Sequence, residues 1–406
     1  MTDRIHLSTE QARGLIEKYG SPLYVYDEGI LRRRCREVRA LSAYPCFRVN
    51  YSAKANTNIE LLKIIRTEGL QVDAMSPGEI LAEEAAGFAP EEIFFVPNNV
   101  SLEEMRFAAD RGIMVSVDSL SQLEQYGGSG LPRRIAFRLN PGIGAGHGAK
   151  VITGGKSKFG IERNQVGRVR EIAARFGLRI VGINQHIGSL FLKDEDYLAA
   201  AEVLFETARK FPELEFVDLG GGLGVPYRNE PRLDMEALGA RLSGLITDFT
   251  GAYPRENIGV VVEPGRYITA ECGVLLGTVH SVKENYGETY VGTDIGFNVL
   301  MRPVLYDSWH DIRFFSSPEG GGDLRKITVT GNICESGDIL ARDRELPLPR
   351  PGDIIGVENA GAYGYSMTSN YNSRLRPAEV LIDRAGGDRL IRRRDTYAEL
   401  LRPPAP

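Results

Sequence analysis

The alternation that organises this chain begins with Phe47-Arg48-Val49-Asn50-Tyr51-Ser52-Ala53-Lys54, a short apolar run that ends on a lysine. Helix-like stretches, such as Thr57–Glu68, Pro77–Ala86, Leu102–Arg111 and Tyr197–Lys210, separate this run from those that follow. The eight predicted strands are Phe47–Tyr51, Gln71–Met75, Ile93–Val96, Met114–Val117, Ile135–Leu139, Ile180–Ile183, Phe216–Leu219 and Gly259–Val262. Strands and helices in this order predict an α/β fold, a TIM-like (β/α)₈ barrel, with an open doubly wound sheet as the alternative.

The alternation of predicted strands and helices stops after about residue 270, where strand patterns continue but helical ones become rare. The predicted strands there are Val274–Lys283, Thr289–Thr293, Ile312–Ser316, Lys326–Thr330, Ile354–Val357 and Ala378–Asp383. They predict a C-terminal β-rich, β-barrel-like domain. We therefore assign residues 28–270 to the barrel domain, and residues 1–27 and 271–406 to the β-rich domain.

Two glycine-rich segments interrupt these patterns. Pro318–Asp323 is predicted to be a surface loop. Pro141–Lys158 carries six glycines and His147, and is predicted to be a long loop that is either an active-site lid or an insertion without function.

Composition narrows the possible functions. The 406 residues carry a net charge of −5 with both signs scattered, which argues against nucleic acid as the main partner. No apolar run approaches the roughly 20 residues of a membrane helix, and no secretory signal is evident. Four cysteines without CxxC spacing favour a reduced, cytoplasmic protein. The five histidines form no metal-ligand pattern, so no metal site is expected.

Residues that could react follow four of the barrel strands. Lys54 follows the first strand, His186 the sixth, Gly220–Gly222 the seventh and Glu263 the eighth. Each has an ordinary explanation: a solvated lysine, a hydrogen-bonded histidine, a tight turn, a strand end. Their joint position is more informative, because the carboxyl ends of barrel strands meet on the face where active sites form.

This set of groups suits the chemistry of pyridoxal phosphate (PLP). A neutral lysine amine such as that of Lys54 can form an imine with the aldehyde of PLP. Glycines such as Gly220–Gly222 let backbone N–H groups approach a phosphate. A carboxylate such as Glu263 can keep the pyridine nitrogen protonated, and the His186 imidazole could lie on the ring face.

The same residues carry a family resemblance that covers roughly Ser21 to Leu401. The motifs are Tyr51-Ser52-Ala53-Lys54-Ala55-Asn56, His186-Ile187-Gly188-Ser189, Gly220-Gly221-Gly222 and Glu263-Pro264-Gly265-Arg266. They resemble the signatures of the fold-type III PLP-dependent decarboxylases, which share an alanine-racemase-like barrel. The C-terminal motifs Met301–Tyr306, Cys334–Asp338, Ala360–Tyr363 and Arg376–Val380 are similar to those of the diaminopimelate branch of that family.

The resemblance implies a role for each matching residue. The implied catalytic residues are Lys54, His186 and Cys334. The implied cofactor-binding residues are Lys54, Asp73, His186, Ser189, Gly221, Gly222, Glu263, Gly265, Arg266 and Tyr363. The implied substrate-binding residues are Arg266, Arg302, Tyr306, Glu335 and Tyr363. It also implies a homodimer in which Cys334 and Glu335 reach the active site of the other subunit.

The implied reaction is PLP-dependent decarboxylation of meso-2,6-diaminopimelate to L-lysine and CO₂. Charge supports this substrate, because Arg302 and Arg266 suit a distal carboxylate and Glu335 suits a distal ammonium. The core motifs leave open a related amino acid with a distal carboxylate, such as a polyamine or siderophore precursor. Either Cys334 or Lys54 could return the proton to Cα. A racemase of the same barrel family and a non-catalytic regulatory relative are the remaining alternatives.

Overall fold

The computed structural model describes residues 4–146, 152–316 and 323–401. Two predicted features fall partly outside these ranges: the surface loop Pro318–Asp323, apart from Asp323, and the central part of Pro141–Lys158 with His147. The chain divides into two compact units. One is formed by residues 32–226 and 231–268, and the other by residues 1–31, 227–230 and 269–406.

The described residues form twenty strands. They are β1 (Leu23–Asp27), β2 (Phe47–Ser52), β3 (Gln71–Ala74), β4 (Ile93–Phe95), β5 (Met114–Val117), β6 (Arg134–Asn140), β7 (Ala145–Gly146), β8 (Ile161–Glu162), β9 (Arg179–Gln185), β10 (Gly188–Ser189), β11 (Phe216–Asp218), β12 (Gly259–Val262), β13 (Gly273–Asn285), β14 (Glu288–Thr293), β15 (Ile312–Phe315), β16 (Leu324–Thr330), β17 (Ile339–Pro347), β18 (Ile354–Val357), β19 (Ala378–Ile382) and β20 (Asp388–Arg392).

Twelve α-helices accompany them in the described ranges. They are α1 (Thr9–Tyr19), α2 (Glu28–Arg39), α3 (Ile59–Thr67), α4 (Pro77–Ala85), α5 (Leu102–Ala109), α6 (Leu120–Gly128), α7 (Val166–Phe176), α8 (Glu195–Ala208), α9 (Met235–Ala252), α10 (Arg266–Thr269), α11 (Arg302–Tyr306) and α12 (Tyr397–Leu400). None of these helices combines the length and apolar character needed to cross a membrane.

The first unit is a closed barrel of eight parallel strands. Its order is β2-β3-β4-β5-β6-β9-β11-β12, and β12 pairs with β2 to close it. All eight strands predicted from the sequence are present, and the barrel prediction is confirmed. The two-residue strand β8 pairs with the last two residues of β6.

Helix boundaries follow side-chain capping more closely than apolar periodicity. The Asn58 side chain accepts a hydrogen bond from the backbone N–H of Glu60 at 3.0 Å, so α3 begins at Ile59 rather than at the predicted Thr57. Ser101 and Glu104 form a capping box that starts α5 at the predicted Leu102. These caps orient the helices that follow the barrel strands.

The second unit is built on a nine-stranded sheet, and the prediction of a β-rich C-terminal part is confirmed. Its main path is β17-β16-β14-β13-β1-β19-β20, with β18 pairing with both β13 and β15. Three of these strands, β1, β17 and β20, were not predicted. β17 and β20 carry consecutive charged residues, Arg342–Glu345 and Asp388–Arg389, which weaken the apolar signal of a strand. β1 lies far from the rest of the sheet in sequence and joins it between β13 and β19.

Candidate active site

Lys54 and Asp73 meet at the carboxyl end of the barrel. Lys54 lies on a short 3₁₀ turn directly after β2, and Asp73 lies in β3 opposite Ser52. The Lys54 ammonium nitrogen Nζ is 3.4 Å from Asp73 Oδ2. Burial raises the pKa of Asp73 above its usual value, although the Lys54 charge acts in the opposite direction. A lysine is therefore held beside a fully buried carboxyl group.

Two further buried carboxyl groups lie at the ends of adjacent strands. Asp218 is the last residue of β11, and Glu263 directly follows β12. Oδ2 of Asp218 and Oε1 of Glu263 have no hydrogen-bond partner in the described part of the chain. Burial raises the pKa of Asp218 to about 7 and that of Glu263 well above its usual value, and the two groups also influence each other. Burial therefore disfavours negative charge on both groups.

His186 is neutral in this setting. Burial lowers the pKa of His186 well below its usual value, and the nearby Lys54 and Arg138 charges add to this effect. The backbone N–H of Gly221 donates to His186 Nδ1 at 3.3 Å. Because Nδ1 accepts this bond, the proton of the neutral ring belongs on Nε2.

The glycine turn after β11 fits very tightly. A Cβ on Gly221 would lie 1.9 Å from the Glu263 carbonyl oxygen. Gly222 has φ +115°, and a Cβ there would lie 2.2 Å from the Phe191 ring. Only glycine fits at these two positions, so the turn can present bare backbone to a ligand.

Ser189 and Arg266 come together at the same end of the barrel. Arg266 Nη2 and Nε donate to Ser189 Oγ at 3.0 and 3.3 Å. Arg266 is buried, and Gly265 before it packs against Ser52 and Ala55. Backbone N–H groups, a hydroxyl and a guanidinium are the donors that bind phosphate, so these residues could hold the phosphate of a cofactor.

Two ionisable residues of this barrel face, Arg138 and Asp218, were not predicted from the sequence. Arg138 in β6 is buried and faces Asp118, with Nη1 to Oδ1 at 3.8 Å. Burial lowers the pKa of Arg138, while the carboxyl groups of Asp118, Glu263 and Asp218 oppose this effect. Asp218 could have been found with the rule that identified Glu263, because it lies at a strand end immediately before the glycine turn.

The described parts of the predicted loop Pro141–Lys158 are anchored close to His186. Thr153 Oγ1 donates to the His186 carbonyl oxygen at 2.8 Å. The side chain of Asn140 donates to the Gly155 carbonyl oxygen at 2.8 Å, and β7 pairs with β10. The two ends of the segment are thus fixed to the barrel, whereas the choice between lid and insertion stays open.

The second unit holds the remaining predicted site residues. Arg302, at the start of α11, is buried, and its Nη2 and Nε donate to Ser308 Oγ at 3.2 Å and His310 Nε2 at 3.4 Å. The Arg302 guanidinium also lies over the Tyr227 ring, 5.2 Å from its centroid. Tyr306 ends the same helix and is half-buried. Arg302 is therefore a fixed cation.

Cys334 and Glu335 are exposed and adjacent. The Asn372 side chain accepts from the Cys334 backbone N–H at 3.0 Å and donates to its sulfur at 3.1 Å. The hydroxyl of Tyr371 donates to Glu335, and this bond raises the pKa of Tyr371 to about 12. Tyr363 is half-buried with φ +55°.

Several known proteins are similar to this chain. The family model described as the pyridoxal binding domain of pyridoxal-dependent decarboxylases matches residues 29–270. A diaminopimelate decarboxylase of Methanothermobacter thermautotrophicus is 44% identical over 400 residues, covering 96% of this chain and 92% of that protein. The Escherichia coli K12 diaminopimelate decarboxylase is 35% identical over 417 residues, covering 97% and 96%.

Solved structures are similar over nearly the whole chain. The diaminopimelate decarboxylase of Helicobacter pylori in complex with L-lysine is 31% identical, with a TM-score of 0.88 over 96% of this chain and 98% of that one. A lysine/ornithine decarboxylase of Vibrio vulnificus is 22% identical with a TM-score of 0.79, covering 93% and 99%. At that identity the second likeness shows the shared fold alone.

Proposed function

Because this chain belongs to the pyridoxal-dependent decarboxylases, we infer that it converts meso-2,6-diaminopimelate to L-lysine and CO₂. Relatives named for this activity are 35 to 44% identical over nearly the full length. The observation that carries the inference is the Lys54–Asp73 pair, 3.4 Å apart at one end of the barrel, beside a neutral histidine and buried carboxyl groups. Pyridoxal phosphate is the cofactor, and it supplies an electron sink for the electron pair left when the bond from Cα to the carboxylate breaks.

The residues of the barrel fit this cofactor. The buried oxygen Oε1 of Glu263 lacks a partner among the described residues, and a protonated pyridine nitrogen would supply one. Lys54 would bind the cofactor covalently, His186 would lie against its ring, and Asp73 would line the pocket. The phosphate would be held by Gly221, Gly222, Gly265, Ser189 and Arg266, with a hydroxyl from Tyr363.

Proton transfer at Lys54 depends on its buried neighbour. Asp73 lies within reach of the Lys54 amine, and its raised pKa brings the two groups closer in proton affinity. Asp73 Oδ2 would accept the proton that Lys54 Nζ must lose before it can act as a nucleophile. Lys54 or Cys334 then delivers a proton to the substrate Cα after CO₂ leaves.

Arg302 and Glu335 would discriminate between substrates. Arg302 would bind the distal carboxylate, together with Tyr306 and Arg266, because a fixed guanidinium binds a carboxylate through paired hydrogen bonds. Glu335 would bind the distal ammonium. A substrate without a distal carboxylate could not form these hydrogen bonds with Arg302 and would therefore bind less well.

We propose that the protein acts as a homodimer in the cytoplasm. Cys334 and Glu335 are exposed on a single chain, as expected for residues that complete the active site of a second subunit. The four cysteines are all free thiols, in keeping with a reducing compartment. A concentration series in analytical ultracentrifugation would test the dimer.

The substrate is tested by measuring CO₂ release from equimolar meso-diaminopimelate, ornithine, arginine and a carboxylated polyamine precursor. We expect kcat/KM for meso-diaminopimelate to exceed that for ornithine and arginine by at least ~10³, with L-lysine as product. Equal or faster turnover of the polyamine precursor would identify the related substrate instead. Turnover of none of these compounds by the PLP-loaded protein would overturn the inference.

A further inference from the structure

The only tryptophan of the chain lies among arginines in the β-rich unit. The guanidinium of Arg228 lies 3.5 Å from the centroid of the Trp309 ring, and the guanidinium of Arg344 contacts the same ring. Cation–π contacts of this kind hold the two side chains in place. The stacked ring face fixes each guanidinium and leaves its N–H edges available as hydrogen-bond donors.

These two cations are crowded together. Burial lowers the pKa of Arg344 to about 10, and the nearby Arg228 charge contributes to the shift. Arg344 remains charged at neutral pH, so two like charges share one aromatic ring. The Asp311 carboxylate partly offsets this repulsion, and a bound anion would offset more of it.

A third arginine joins them through an irregularity in the sheet. Arg342 and Arg344 both lie on β17, whose pairing register with β16 shifts between Ile327 and Val329. Asp343, between the two arginines, has φ +51°. Such irregularities redirect side chains, and here residues 342 to 346 all line one groove with Trp309 and Arg228.

Two of the three acidic side chains that line the groove already have a cationic partner. Asp311 accepts from Arg4 at 2.7 Å and from Trp309 Nε1 at 2.8 Å. Asp343 pairs with Lys326 at 3.2 Å. Glu345 is the one acidic residue left among those lining the groove.

The three arginines, by contrast, have no ion pair with any carboxylate in the described ranges. The groove encloses about 620 Å³ and is lined by residues of the β-rich unit. That volume lies within the usual range for small-molecule sites. The remaining charges are therefore three arginines against one glutamate, around a cavity large enough for a small molecule.

We propose that this groove binds a small oxyanion carrying two or more negative charges, supplied either by phosphate groups or by carboxylates. Arg228, Arg342 and Arg344 would hold it with charge-assisted, partly bidentate hydrogen bonds. The proposal does not depend on the proposed decarboxylase function, because none of the three arginines is among the residues proposed to bind the cofactor or the substrate.

The position of the only tryptophan makes the site directly measurable. The PLP-loaded protein is titrated in phosphate-free buffer with sodium pyrophosphate and, separately, with citrate, while tryptophan emission is recorded. Sodium chloride at matched ionic strength controls for screening. We expect a saturable change in Trp309 emission with an apparent Kd below about 1 mM for at least one of the two anions. The two titrations distinguish a phosphate source from a carboxylate source.

The decisive variant is Arg342→Gln, because Arg342 lines the groove without stacking on Trp309. We expect this variant to keep the emission of the free protein and to raise the apparent Kd at least about tenfold. Arg168→Gln, an exposed arginine on α7 paired with Glu171, is the matched control and should titrate like the unmodified protein.

If Arg342→Gln does not fold, Arg228→Gln is measured by isothermal titration calorimetry with the same expected loss. The proposal is overturned if emission and calorimetry detect no saturable binding beyond that of sodium chloride. Unchanged affinity in the groove variants would also overturn it.

Discussion

The two ends of the barrel differ in where their charged residues lie: buried at the carboxyl end and exposed at the amino end. At the carboxyl end, Lys54, Asp73, Asp218 and Glu263 are gathered where burial shifts the pKa values of all three acids upwards. At the amino end, the charges lie at the rim; Arg134 pairs with Glu215 and keeps about half of its side chain exposed.

Aromatic packing replaces charge inside the amino end. Phe94 and Phe216 meet edge to face at 5.2 Å beside a cavity of about 250 Å³. The same eight strands thus pack aromatic rings together at one end and, at the other, hold buried ionisable groups suited to chemistry.

The largest effect that would test this contrast is the loss of Lys54. We expect Lys54→Ala to lower kcat by at least ~10³ because the nucleophilic amine is removed. Lys63→Ala is the control, since Lys63 is an exposed lysine on α3 paired with Glu60 at 2.7 Å. Steady-state CO₂ release and circular dichroism of both variants provide the measurement. Near-normal turnover of Lys54→Ala would remove the basis of the proposed mechanism.

A buried carboxyl group at the carboxyl end should matter more than a rim carboxylate. We expect Glu263→Gln to lower kcat about 10²-fold, because an amide cannot stabilise a protonated pyridine nitrogen as a carboxylate does. The matched change Glu215→Gln at the amino end should alter kcat by less than about twofold. Equal losses in the two variants would mean that the two ends do not differ in the way described.

Packing at the amino end should affect stability without affecting chemistry. Phe216→Ala is expected to lower the free energy of unfolding by about 2 kcal/mol, because it removes a half-buried ring from the contact with Phe94. Its kcat per folded molecule should remain unchanged. Chemical denaturation and active-site titration measure the two quantities; a stable variant with impaired kcat would contradict the assignment.

The smallest expected effect concerns Asp218 and pH. Burial raises its pKa to about 7, so Asp218 gains its negative charge as pH rises from 6 to 8. That charge favours a protonated pyridine nitrogen, and we therefore expect kcat/KM to rise over this interval in the unmodified protein. In Asp218→Asn the rise should be absent and kcat/KM at pH 8 should fall about tenfold. A rise of unchanged size in Asp218→Asn would assign the titration to another group.

The fold could be predicted well because its signals are local. The barrel strands are short runs rich in apolar residues, as expected for parallel strands buried on both faces, and helical patterns separate most of them. β17 and β20 lack this signal, since consecutive charged residues interrupt the apolar run.

The site was predictable only in part. Lys54, His186 and Glu263 directly follow strands, so their common face could be deduced from sequence. Arg138 lies within β6, and its position near the carboxyl groups depends on strand register and side-chain direction, which no local pattern reveals. The contact between Arg266 and Ser189 joins residues 77 positions apart and likewise requires the closed barrel.

The proposed function requires that Lys54, at the carboxyl end of the barrel, binds pyridoxal phosphate covalently. The most direct measurement is reduction of the PLP-loaded protein with borohydride, followed by proteolysis and mass spectrometry of the lysine-containing peptides. We predict a phosphopyridoxyl group on Lys54 and none on the exposed Lys63. A stoichiometric label on any other lysine, with Lys54 unmodified, would contradict it.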